Sequence, residues 1–120
     1  MKLSINKGIL ESALALCNAY ADKKDNSAIT SHLLFEANDD KLVIKASDYE
    51  FGLSYKIKKI KIDSNGFATV QAKSIVDMIK NLANEDIVLE TVENSLFIRQ
   101  KSTKYKLAMF NYEDFPSFPN

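Results

Sequence analysis

The sequence predicts an α+β domain in which two helices pack on antiparallel sheets. Two stretches, 7–21 and 72–83, carry apolar residues at three- and four-residue spacing, the mark of an amphipathic helix. Almost everything else alternates apolar and polar residues in short runs separated by turn residues, the mark of half-buried strands. The order of these elements also repeats, as a short strand, a helix and three strands, twice over. Identity between the halves is negligible, so the internal strand-helix-three-strand repeat rests on order and length.

A first short strand covers 2–5. In 7–21, Ile9, Leu10, Ala13, Leu14, Cys17 and Ala21 form one face, and Asn6 stands where a side-chain oxygen can cap the helix. Strands follow at 31–37, 41–47 and 51–57, with Leu33, Phe35 and Ala37 alternating, then Leu42, Ile44 and Ala46, and with Asn38-Asp39-Asp40 as the intervening turn. The run from Lys56 to Lys61 breaks its alternation at Lys58-Lys59, which predicts a bulge on an edge strand whose lysines discourage unwanted pairing. Asn65-Gly66 turns the chain into a short strand at 67–70. The second helix, 72–83, sets Ile75, Val76, Ile79 and Leu82 on one face and Lys73, Asp77 and Lys80 on the other. Strands at 86–91, 95–100 and 104–110 complete the chain, with Glu93-Asn94 between two of them. The apolar helix faces should lie on the sheets and the polar faces outward, where function can sit.

A chain of 120 residues, 46% hydrophobic and 27% charged, suits a single folded domain of 1–120 with a real core. Lys plus Arg equals Asp plus Glu at 16 each, so no global field draws it to polyanions and any such binding is local. A lone Cys17 rules out an internal disulfide and fits a reducing compartment. The segment Leu14-Ala15-Leu16-Cys17 is no lipoprotein cleavage site, because Lys7 and Glu11 interrupt the apolar run and Leu16 is too bulky. No stretch approaches the roughly 20 apolar residues of a membrane span. The expectation is a cytoplasmic protein that engages no membrane.

Catalytic constellations are scarce. His32 has no Cys or carboxylate at metal-ligand spacing, and with 3 glycines there is no phosphate-cradling loop. Asp48 and Glu50, two apart in an extended segment, share a face and form the one acid-base pair to weigh, against a solvated strand end. Cys17 falls on the apolar helix face, where a thiol acts as a small hydrophobe. The lysines say more. Lys23 and Lys24 follow the first helix, and Lys73 and Lys80 lie seven apart on one helix face, so both helices can present lysine to an anionic partner. The same residues also serve solubility, and Lys73 with Asp77 is an ordinary four-apart pair. The strand 104–110 alternates Tyr105, Leu107 and Met109 against Lys104 and Lys106, and fits a sheet edge or an internal position.

Met1-Lys2-Leu3 before a helix, Leu33-Leu34-Phe35 running into Leu42-Val43-Ile44, Ala46-Ser47-Asp48-Tyr49-Glu50, Val70-Gln71-Ala72-Lys73 and Tyr112-Glu113-Asp114-Phe115-Pro116 occur in this order over nearly the whole chain. In this the sequence resembles the N-terminal domain of the bacterial DNA sliding clamp, the beta subunit of DNA polymerase III. The resemblance implies a DNA-clamp fold and the first domain of a three-domain subunit, two of which form a head-to-tail ring around double-stranded DNA and confer processivity on the polymerase. It implies a non-catalytic protein with no cofactor and no metal. It places Lys24, Lys73 and, as a third candidate, Lys80 at DNA-contacting basic positions, and Tyr105 and Leu107 at the edge that meets the second subunit. Pockets for DNA polymerase III and the clamp loader belong to later domains. One departure is Ala28-Ile29-Thr30-Ser31-His32, which stands where clamps often carry Pro-Ile-Leu and an Asn. Two other classes stand beside this reading: an independent non-specific nucleic-acid-binding module, and an enzyme using Asp48, Glu50 and His32.

Overall fold

Asn6 closes the first strand and opens the first helix. Its backbone is extended, and its side-chain oxygen accepts the amide of Ile9 at 3.2 Å, satisfying one of the free N–H groups of the first turn. The computed structural model describes residues 1–19, 32–47, 52–58 and 60–109. In chain order these form β1 (Lys2–Asn6), α1 (Lys7–Asn18), β2 (His32–Asn38), β3 (Lys41–Ser47), β4 (Gly52–Ile57), β5 (Lys61–Ser64), β6 (Gly66–Gln71), α2 (Ala72–Lys80), β7 (Asp86–Val92), β8 (Ser95–Gln100) and β9 (Thr103–Ala108).

The described strands make two antiparallel sheets, ordered β5-β1-β7-β8-β9 and β4-β3-β2-β6. The strand-helix-three-strand repeat is present with one strand the sequence reading did not expect, β5, added to the first half, and the halves are not separate units, because each opening strand joins the other half's sheet. β1 pairs with β7, setting Leu3 opposite Leu89 and Ile5 opposite Ile87, while β6 pairs with β2, setting Val70 opposite Leu33 and Ala68 opposite Phe35. The exchange welds the halves into one core. Leu10, Ala13, Leu14 and Cys17 of α1 and Ala72, Ile75 and Ile79 of α2 meet Leu33, Phe35, Leu42, Ile44, Leu89 and Ile98 from both sheets. A fully buried Leu or Ile contributes about 1.5–3 kcal/mol, so this shared interior outweighs any single polar contact.

Several expectations are corrected. Half of the expected bulge, Lys59, lies outside the described residues. Between Ile57, where β4 ends, and Lys61, where β5 begins, the chain passes from the end of the four-stranded sheet to the end of the five-stranded one, and a register irregularity lies between Lys2 and Leu3 of β1. The second helix stops at Lys80 rather than 83. Leu82 donates its amide to the carbonyl of Ile79 at 3.1 Å, a tightened last turn, and the amide of Ala83 goes to the side chain of Gln100 at 2.8 Å. Ile9, assigned to the inward face of the first helix, is 41% exposed. The first helix ends at Asn18 with Ala19 as its C-cap, short of Ala21, and the last strand ends at Ala108, short of Phe110, while the expected start of the second strand at Ser31 lies outside the described residues.

Candidate functional site

α1 and α2 lie side by side, leaving between them an outward groove of about 210 Å³ lined by Glu11, Leu14, Ala15, Val76, Ile79 and Lys80. On α2 the expected division holds. Ala72, Ile75 and Ile79 are buried, and Lys73, Asp77 and Lys80 are exposed. A helix rises about 1.5 Å per residue, so the two lysine Cα atoms stand about 10 Å apart along the axis. The four-apart pairing of Lys73 with Asp77 does not form. Among the described residues no carboxylate lies at ion-pair distance from Lys73 or Lys80, whereas Lys7 reaches Glu11 at 3.5 Å on α1. Lys73 also sits in the first turn of α2, whose free N–H groups already carry partial positive charge, so it gains nothing from the helix dipole and adds to the positive potential there.

The outward face of α1 departs from expectation. Ile9 and Leu16 are 41% and 52% exposed, with Ser12 and Ala15 exposed between them. The α1 sequence is apolar around most of its circumference, and two sheets can cover only one arc of a cylinder. Lys24, with Lys23, lies outside the described residues, as do Asp48 and Glu50. His32 is 4% exposed, opposite Gln71 in the ladder of β2 with β6. Cys17 is fully buried with its Sγ 3.8 Å from the carbonyl of Ile44, and burial pushes its thiol up to about 11, which keeps it protonated and unreactive at neutral pH. Among the described residues no group of three His, Cys, Asp or Glu side chains is placed to hold a metal ion, and no helix is long and apolar enough to cross a membrane.

β9 is the last strand of its sheet, so one of its two rows of backbone N–H and C=O groups faces no strand among the described residues. Tyr105 and Leu107 are half-buried on the core side of this edge, and Lys104 and Lys106 are exposed on the opposite side. On that opposite side lies a cluster that periodicity alone did not single out. Phe97 of β8 has Lys104 Nζ 4.6 Å, Arg99 Cζ 5.6 Å and Lys106 Nζ 5.9 Å from its ring centroid. The hairpin register, Phe97 opposite Lys106 and Arg99 opposite Lys104, is the signal that would have found it.

This two-helix, two-sheet arrangement is the fold of bacterial DNA polymerase beta clamps. A Helicobacter pylori beta clamp solved with a DNA ligase peptide superposes with a TM-score of 0.96 at 42% identity, over 100% of this chain and 34% of that one. Caulobacter crescentus pol III beta shares the fold with a TM-score of 0.92 at 24% identity, over 99% of this chain and 32% of that one. Residues 1–119 match the family described as DNA polymerase III beta subunit, N-terminal domain, and the chain belongs to that family. It is 42% identical over 119 residues to the beta sliding clamp of Helicobacter pylori strain J99, a match covering 99% of this chain and 32% of that protein. The chain thus spans about a third of the length of the curated relatives it matches.

Proposed function

We propose that these residues form the first of three like domains of a beta sliding clamp, a ring of two subunits that encircles duplex DNA and holds DNA polymerase III on its template. The membership of residues 1–119 in the beta-subunit family carries this reading. α1 and α2 line the hole, and Lys73 and Lys80, with Lys24, touch phosphates loosely. Topology does the holding, so these contacts need only be weak and non-specific, and tight ones would impede sliding. Asp77 between the two lysines suits that need by limiting the field. The open edge of β9, with Tyr105 and Leu107, pairs with the second subunit head to tail. The protein catalyses nothing, uses no cofactor and works in the cytoplasm, where the chromosome is. Polymerase, clamp loader and partner peptides, such as the ligase peptide bound by the H. pylori clamp, would be captured by domains beyond these residues.

The test is retention on DNA. Lys24→Ala with Lys73→Ala in the intact protein should shorten the lifetime of loaded rings on closed circular DNA while the melting temperature stays within a few degrees. Unchanged retention refutes the role given to these lysines. The 120-residue chain alone should bind linear duplex DNA only feebly, since one arc encircles nothing. Salt-dependent micromolar binding by it would favour an independent nucleic-acid-binding module instead.

A further inference from the structure

We propose that the outer face of the five-stranded sheet, centred on Phe97, docks an extended acidic segment of a partner protein. The register of the sheet puts two rows of side chains on this face: Lys2, Glu90, Phe97 and Lys106 in one, and Ser4, Val88, Arg99 and Lys104 in the next. Glu90 is bound by Arg99 at 2.7 Å. Among the described residues no carboxylate lies at ion-pair distance from Lys2, Lys104 or Lys106. Three cationic groups stand within 5.9 Å of one ring, and with Arg99 held by Glu90 it is Lys104 and Lys106 that are left without a carboxylate among the described residues, in a chain whose overall charge is zero. Such a cluster repels itself, and an anion laid across it relieves the repulsion.

The ring decides between anions. A nucleic-acid base needs an open aromatic face to stack on, and here Lys104 Nζ already stands 4.6 Å from the centroid. Carboxylates can meet the ammonium groups where they are. Lys106 on β9 and Lys2 on β1 are three strand spacings apart, about 14 Å, which an extended peptide covers in about four residues. Two acidic side chains four positions apart therefore fit the two lysines. Exposed Val92 and Ala108, in the row beside Phe97, offer apolar contact to the residues between. The site is compatible with subunit pairing at β9, because strand addition uses backbone groups in the plane of the sheet and these side chains stand perpendicular to it.

The probe is a fluorescent, end-capped peptide Gly-Glu-Ala-Leu-Ala-Glu-Gly, titrated against the intact protein and followed by anisotropy. Phe97→Ala and Lys2→Glu lie inside the sheet and leave the β9 edge alone. Each should weaken binding about tenfold with melting temperature, oligomeric state and DNA retention unchanged, and Lys73→Glu on the helix face should leave it unaltered. Binding should also fall as salt rises from about 0.05 to 0.3 M. The proposal is overturned by no binding at millimolar peptide, by equal binding of the two sheet variants, or by equal affinity for a peptide with its glutamates adjacent. Tighter binding of a ten-nucleotide oligothymidine that competes with the peptide overturns it too. DNA retention is read separately, so either reading can fail without the other.

Discussion

Replacing Gln100 with alanine should loosen the C-terminal end of α2 more than any other single polar substitution among the described residues. Its side chain, 7% exposed at residue level, accepts the Ala83 amide at 2.8 Å and donates to the carbonyls of Ala83 at 2.7 Å and Glu85 at 3.4 Å. It thus replaces the backbone partners that the chain gives up when the helix ends at Lys80. Two good hydrogen bonds at about 1 kcal/mol each, plus incomplete solvation of the abandoned groups and the small cavity left, give a loss of about 2–4 kcal/mol. For a domain of this size that lowers the melting temperature by about 8–15 °C. Calorimetry measures the whole effect, and hydrogen exchange should show the Ala83 amide losing protection before the β7–β8 ladder does. Gln100→Glu should be at least as harmful at neutral pH, since it removes the donor and turns a carboxylate toward two carbonyls. A melting shift under 2 °C for Gln100→Ala, with Ala83 protection unchanged, would refute the reasoning.

Lys73→Ala with Lys80→Ala should reduce the salt slope of DNA binding by about 2, at about 0.9 per phosphate contact, as measured by binding across a salt series. Tyr105→Asp with Leu107→Asp should abolish subunit pairing in the intact protein, seen as a halved mass by light scattering, while circular dichroism still reports a folded chain. Cys17, ordinarily at 9.0, is held near 11 by burial, so its neutral form is favoured in the folded state: the stability it contributes is complete below pH 9 and lost as pH rises toward 11, by about 3 kcal/mol. Cys17→Ala should lack that pH 9–11 component in chemical denaturation. Gly66 has φ 153°, and a Cβ there would lie 2.7 Å from the backbone nitrogen of Met1, so Gly66→Ala should cost about 1–3 kcal/mol by the same measurement.

Much of this molecule is written locally. The spacing of Leu10, Ala13, Leu14 and Cys17, the cap at Asn6, the alternation of Leu33, Phe35 and Ala37, and the turn residues at Asp39 and Glu93 each act within a few positions of themselves, and these elements stand where the sequence puts them. The lysine face of α2 was legible for the same reason. Its proposed link to DNA was not: spacing left it undivided from solubility, and only the family resemblance pointed there. The tertiary structure alone decided which strands are neighbours, because Lys2 meets Glu90 and Leu33 meets Val70 although several other elements lie between them in the chain, and alternation names an apolar face without naming its partner. From that pairing follow the exchange of β1 and β6, the crossing to β5 hidden in a run of lysines, the open edge at β9 and the three cations around Phe97. It also decided which arc of α1 the sheets cover, leaving Ile9 and Leu16 outside. The sequence by itself determined most of the elements and the sign of most faces, since those depend on neighbours along the chain. The fold determined edges, clusters and exposed faces, since those depend on neighbours in space.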